Sequence, residues 1–307
     1  MKSKLITTTL ATILLGGSVF SLTACGGNKS GKTVIKAETM GLPSPFIITT
    51  ENKDEALYTT KEGVYLTGYD IAVITEIFKL PELADYELDL SVSSNTIIDA
   101  QQGTIDFAIN NYSYNVEREK TYYFSYPYTK SRYTLTGKPG ISLNSFEELA
   151  DSGLKIYGGA GGNTTNAIER WNETRTEGQS KINLEFTSVD ITVQLQEAIE
   201  GKVALIHDQP VILKYAKTYA DAFKQLDITV LSDTETAKNI TANNTSHFLF
   251  GKTGSHAREY RELLSNGIKT LYDNGKLAEL GKKYIAEALG DETVSVLPLA
   301  TDFTYLN

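Results

Sequence analysis

Short apolar runs of strand length alternate along this chain with stretches of helical period, and the last helices have no sheet of their own to cover. Alternation of this kind points to α/β units with mainly parallel sheets. TVIKAE (33–38) reads as the first strand. After Gly68, YDIAVITEIF puts Ile71, Ile74, Ile77 and Phe78 on one helical face, with Asp70 placed to cap its start. YELDLSV (86–92) and IDFAI (105–109) read as the next strands, separated by a helical stretch over 96–102 that Gly103 ends.

A second series follows GKPG (137–140). SFEE (145–148) has capping-box spacing at a helix start, and short strands are expected at 154–157, 183–186, 203–207 and 228–231. The helix TVQLQEAIEG lies between two of them and stops at Gly201. SHFLF (246–250) then reads as a strand, followed by a long amphipathic helix ending at Gly275 and a further helix, KLAELGKKYI. Those closing helices must pack on something made earlier. The economical solution is a discontinuous first lobe, residues 33–135 with 247–307, and an inserted second lobe, 136–246. The chain would leave near 133–136 and return near 248–250, so two crossing strands form a hinge. Ligands of open α/β sheets bind at the carboxyl ends of strands, and interdomain clefts favour pockets.

At the N-terminus, Lys2 and Lys4 precede an apolar run over 5–22, and LTAC follows at 22–25. A positive start, a short apolar segment and small residues before a cut make a secretory signal rather than a membrane span. The pattern over 1–24 resembles the lipobox of bacterial lipoproteins, which would make Cys25 the lipidated first residue of the mature chain. An ordinary signal peptide with a chance cysteine is the alternative. Cys25 is the sole cysteine, so the exported part has no disulfide and must stand on its core. Gly26 to Lys32 (GGNKSGK) read with Cys25 as a flexible tether. The formal charge of -9 speaks against a nucleic-acid partner, because phosphate binding needs a basic face.

The segment GTIDFAINNYSYNVEREKTYYFSYPY (103–128) carries more than periodicity. It resembles the first-lobe signature of the family 3 extracellular solute-binding proteins, the polar-amino-acid receptors of ABC importers, at Gly103, Ile105, Asp106, Asn115, Arg118, Phe124, Ser125, Pro127 and Tyr128. Supporting matches are GYDIAVITEIF, GGNTT after a strand, VALIHDQP and LYDNGKLAELGKKY, in the family's order over nearly the whole mature chain. The resemblance implies a two-lobed periplasmic-binding-protein-like fold, with two open mixed sheets joined by a two-strand hinge. It further implies a free amino-acid ligand, permease and ATPase partners, a monomer, and a lipid-anchored position on the extracytoplasmic face of the cell membrane.

By the same resemblance Arg118 clamps the ligand α-carboxylate. A guanidinium offers a planar fork that matches a carboxylate with two parallel charge-assisted hydrogen bonds. On the residues alone, a solvated charge in a mixed-sign helix turn between Glu117 and Glu119 is the favoured reading of Arg118. Asn111 and Ser113 match the family's polar strand end, and Asn110 is a further candidate; turn chemistry is their other reading. In the second lobe Thr164 matches the carboxylate-binding turn, with Asn163 and Thr165 one residue away on either side. Helix-start N–H groups there favour an anion, or the turn is a plain N-cap. Asp208 ends VALIH, where the family places an acid for the α-ammonium; Pro210 makes a capping role the alternative. GAGGNTT lacks the lysine of a phosphate-binding loop.

Departures bear on the ligand. Pro43 stands where the family carries a stacking aromatic, Phe46 is expected in the core, and an insertion over 49–66 lengthens the next hairpin. NVERE and GGNTT lean toward the cystine-binding branch. Two rival functions are a lyase like the cyclohexadienyl dehydratases, which needs a cleft acid, and a sensor or adhesin whose cleft is retired. His207 and Asp208 are adjacent on a strand and so point to opposite faces, which argues against a dyad. The histidines, His207, His247 and His256, show no metal-ligand spacing, and neither metal nor cofactor is expected.

Overall fold

The structure, a computed structural model, describes residues 31–140, 145–159, 162–186, 189–231 and 245–303. The signal segment, Cys25, most of the tether and Gly161 lie outside the described residues.

Strand β1 (Thr33–Thr39) is followed by a small antiparallel sheet made of β2 (Ile48–Thr50), β3 (Tyr58–Thr59) and β4 (Tyr65–Thr67), which is what the 49–66 insertion builds. Helix α1 (Tyr69–Ile77) starts at Gly68, which has φ 105°. A Cβ there would stand 2.5 Å from the Phe46 carbonyl oxygen, so only glycine permits this entry. Asp70 is therefore the second residue of the helix rather than its cap, and it is fully buried. Then come β5 (Tyr86–Val92), α2 (Thr96–Gln102, ended by Gly103 in the left-handed conformation), β6 (Phe107–Ser113), α3 (Val116–Glu119), β7 (Tyr122–Phe124) and β8 (Thr129–Lys130).

The second series runs β9 (Tyr133–Gly137), α4 (Phe146–Ser152), β10 (Lys155–Gly158), α5 (Asn163–Glu173), β11 (Asn183–Phe186), α6 (Ile191–Ile199), β12 (Val203–Asp208), α7 (Gln209–Thr218), α8 (Ala220–Phe223) and β13 (Asp227–Leu231). Ser145 caps α4 as expected, its hydroxyl accepting from the Glu148 N–H at 3.1 Å. Strand β14 (Thr245–Gly251) and the long helix α9 (Ala257–Asp273) close the chain with α10 (Lys276–Gly281). The last expected helix is present over its whole span, its second half wound as a π-helix at Lys282–Ala286 and followed by a short α-helical turn at Glu287–Leu289.

Two larger sheets result, in the orders β5-β1-β6-β14-β7 and β11-β10-β12-β9-β13, with β8 pairing β14. Each is mixed rather than mainly parallel, because β14 runs antiparallel to β6 and β9 antiparallel to β12. Both are covered on two faces, and the period of two along each strand sorts its side chains. Phe248 and Phe250 join one core while Leu249 faces another; Ala204 and Ile206 face one core, Val203 and Leu205 the other. Phe46 sits in the first core as expected. Residues 131–132 carry the chain from β8 in the first sheet to β9 in the second.

Candidate functional site

The carboxyl ends of β6 and β12 face one cavity of about 200 Å³, lined from the first sheet by Asn111, Tyr112, Ser113 and Arg118 and from the second by Asn163, Thr164, Ile206, His207 and Asp208. Tyr133, the first residue after the crossing, completes the lining. The volume lies below the roughly 300–1,000 Å³ of drug-sized pockets, which suits a small solute. Two other cavities, near Leu277–Val296 and Lys79–Lys276, are walled by α1, α9, α10 and the C-terminal segment and do not reach the second sheet.

The first-sheet wall is shaped by an irregularity. Tyr112 pairs with His247 and Ala108 with Leu249, so β6 advances four residues while β14 advances two. The surplus forms a bulge in which Asn111 has φ 49°, a left-handed value that asparagine tolerates better than most residues. A bulge frees backbone groups from the ladder, and buried ones need other partners. The Asn111 N–H donates to Asp70 Oδ2 at 2.8 Å, and the Asn111 side-chain oxygen accepts from the Ser246 hydroxyl.

Asn110 is oriented differently. Its Oδ1 accepts from Thr39 Oγ1 at 3.2 Å and from the Met40 N–H at 3.0 Å, so it ties β6 to the loop after β1 and does not line the cavity.

Arg118 sits in the single turn α3, whose start is capped by Asn115 Oδ1 accepting from the Arg118 N–H at 2.7 Å. One guanidinium nitrogen donates to the Ser113 carbonyl at 2.9 Å, and the guanidinium carbon lies 5.4 Å from the centre of the Tyr112 ring. These contacts aim the group along the cavity wall instead of into solvent. Burial lowers its pKa, with the phenols of Tyr112, Tyr133 and Tyr122 acting the other way, and it stays cationic at neutral pH.

Across the cavity, α5 begins at Asn163 with Gly162 as its cap residue. Asn163 and Thr164 face the space, while Thr165 is buried beneath, its hydroxyl packed where a Cβ on Gly158 would stand 2.7 Å away. Among the three adjacent candidates, the structure therefore brings two to the cavity. The N–H groups at the start of this three-turn helix add a positive field to the cavity that Arg118 also lines.

Asp208 ends β12 and makes no side-chain cap to α7; its Oδ1 accepts from Ser131 Oγ at 2.7 Å instead. Pro210 alone starts that helix. His207 turns its ring toward Tyr215, centroids 6.1 Å apart, and burial lowers its pKa to about 4. His247 is fully buried between Thr245 and Ser125, away from the cavity. Among the described residues no group of three or more His, Cys, Asp or Glu side chains could hold a metal.

Sequence reasoning missed Tyr133 and Ser131. Tyr133 lines the cavity with Asn163 of α5 and Ser113 of β6, and burial, helped by Asp208, raises its pKa, while Asn163, Ser113 and Arg118 act the other way. Glu117 Oε2 and Arg170 add an outer contact between α3 and α5 at 3.5 Å. A cation, a helix start and a carboxylate thus line one cavity, together with the tyrosine that begins β9.

A family model described as "Bacterial extracellular solute-binding proteins, family 3" matches residues 47–287. No curated protein sequence matches the chain. Solved structures do. One comes from work on glutathione import in Gram-positive bacteria via GshT and the cystine ABC importer TcyBC of Streptococcus mutans, with 23% identity, TM-score 0.68, and coverage of 88% of this chain and 99% of that one. Another is an amino acid ABC transporter substrate-binding protein of Streptococcus pneumoniae bound to L-arginine, with 22% identity, TM-score 0.57, and coverage of 83% and 94%. A third is an ancestral amino acid-binding protein, a precursor of cyclohexadienyl dehydratase, with 21% identity, TM-score 0.59, and coverage of 84% and 96%. At such identities the likeness shows the fold, a two-lobed α/β architecture with open mixed sheets.

Proposed function

Because the chain belongs to the bacterial extracellular solute-binding proteins of family 3, we propose that it is a lipid-anchored receptor that captures a free amino acid and delivers it to an ABC importer. One observation carries this reading: Arg118, the start of α5 and Asp208 line one small cavity, so a cation, helix-start N–H groups and a carboxylate surround the same space. A zwitterion has matching charges. Its α-carboxylate would take the guanidinium fork of Arg118, with Asn111, Ser113 and Thr164 as further donors, and Asn163 beside them. Its α-ammonium would take Asp208, which Ser131 holds in place. The lobes, residues 33–135 with 247–307 and residues 136–246, would close over the ligand, anchored on the membrane through Cys25 and working as a monomer.

Closing needs differential contacts; moving a 1:99 mixture to 99:1 takes about 5.5 kcal/mol. A zwitterion touching both walls supplies them. The solved structures described with cystine import and with bound L-arginine support an amino acid, and the former supports the lean to cystine or another polar amino acid.

A thermal-shift screen over the twenty amino acids and L-cystine tests the reading. At about 100 times Kd a ligand stabilises the native state by about 2.7 kcal/mol, which should raise Tm by roughly 5 °C or more for one or a few members. A flat response to all of them would sink the receptor reading and favour a retired cleft. With the ligand so found, Tyr133→Phe is expected to weaken binding about fivefold in calorimetry, the loss of one ordinary hydrogen bond. Unchanged affinity would remove Tyr133 from the site.

The lyase reading has His207 beside Asp208 and the dehydratase precursor in its favour. Its histidine, with a pKa of about 4, is unprotonated at neutral pH and poorly suited to donate a proton there. Turnover of prephenate or arogenate by the purified protein would nevertheless establish it.

A further inference from the structure

Asp70 is a buried carboxylate without a role in the family-level reading given above. It is fully inaccessible to solvent, two residues after Gly68, on the helix face that packs under β6. Its Oδ2 accepts two hydrogen bonds, from the Asn111 N–H at 2.8 Å and from the Tyr128 hydroxyl at 2.9 Å. Its Oδ1 has no hydrogen-bond partner. A buried acid in an apolar stripe costs stability unless its contacts repay it, so the two groups it does hold are the informative ones.

Both lead to the ligand cavity. Asn111 is the left-handed residue of the β6 bulge, and its N–H would otherwise be a buried orphan. Tyr128 immediately precedes β8, from which residues 131–132 cross to the second sheet, and Ser131 holds Asp208. We propose that Asp70 is a positioning residue for the solute site: its carboxylate holds the β6 bulge that aims Asn111 and Ser113 into the cavity, and ties that bulge to the root of the crossing segment.

The titratable groups facing Asp70 are few. Tyr69 comes from its own helix and Tyr128 from the β7–β8 segment, both kept neutral by burial; β6 contributes only the Asn111 amide. Burial raises the Asp70 pKa to about 7, against the two hydrogen bonds that favour the anion. The charge-assisted bond to Asn111 should therefore strengthen as pH rises through neutrality, and the bulge should be held most firmly above it.

The test has an arm independent of any ligand. In 15N-labelled protein the Asn111 amide proton shift is followed from pH 5 to 9. Wild type is expected to show an inflection near neutral pH. Asp70→Asn should abolish it, and Tyr128→Phe, which removes a bond favouring the anion, should move it upward. The affinity arm rests on the receptor reading and uses the twenty amino acids and L-cystine as probes. Asp70→Ala, which leaves the bulge amide without its acceptor, is expected to bind about tenfold or more weakly. Asp70→Asn, whose side-chain oxygen can still accept, should restore affinity to within about threefold and flatten its pH profile. If Asp70→Ala does not fold, Asp70→Asn and Tyr128→Phe carry the test. An Asn111 amide that is identical in wild type and the Asp70 variants across the whole range overturns the proposal. Failure of every probe to bind overturns the receptor reading while leaving the amide arm to decide on Asp70.

Discussion

Arg118→Ala is expected to abolish measurable amino-acid binding while the protein stays folded. The guanidinium is a cation lining the cavity, half-buried and already oriented by the Ser113 carbonyl and the Tyr112 ring. Truncating one member of a buried hydrogen-bonded charge pair costs on the order of 2–5 kcal/mol, most of it as faster dissociation. That is roughly a 30- to 5,000-fold loss, since about 1.4 kcal/mol is tenfold. Arg118→Lys should recover only part, because an ammonium lacks the planar fork. Stability should change little, because the carbonyl and the ring that hold the guanidinium belong to the neighbouring strand β6 and keep their places without it. Isothermal calorimetry with the amino acid selected by thermal shift checks the first statement and urea unfolding the second. Near-native affinity in Arg118→Ala would remove the carboxylate clamp from the account.

Phe248→Ala is expected to have the largest effect on stability, about 3–5 kcal/mol. Phe248 is fully buried on β14, with ring centroids 5.4 Å from Phe107 and 4.8 Å from Tyr128. Tyr128 cannot move in to fill the space without giving up its bond to Asp70, so the cavity would persist. In urea the midpoint should fall with the slope unchanged. A loss below about 1 kcal/mol would mean that the site collapses, and that the first core is looser than its packing implies.

Local chemistry makes much of the fold legible. The strand Tyr86–Val92, the helix Thr96–Gln102 with its terminal glycine, and the Ser145 cap follow from patterns spanning only a few residues. What distant pairing decides is not legible. The β6 bulge exists because β14, about 135 residues later, pairs with unequal advance; nothing within NNYS announces a left-handed Asn111. Asp70 reads as a cap because a helix-start acid usually is one. Its place on an apolar face is the available signal that it is buried with partners. The same division holds in the site. Arg118, Asn111, Ser113, Thr164 and Asp208 follow from motif positions, and all line one cavity. Asn110 is held by Thr39 and the Met40 N–H at the β1 loop instead. Tyr133 escapes notice because its importance comes from lying where two sheets meet, and a tyrosine at a strand start reads as ordinary core.

An interior strand of the first sheet has a consequence for how such a chain matures. β14 fills the gap between β6 and β7, yet it is the last strand of either large sheet to be made. A polypeptide emerging from an export channel in N-to-C order would present one side of β6 unzipped until residue 251 arrives. Contacts so far apart in sequence are slow to form, and an open strand edge invites pairing with strangers. For a chain exported in that order, secretion and folding would share a clock, in which a late C-terminal strand closes what the N-terminal half began.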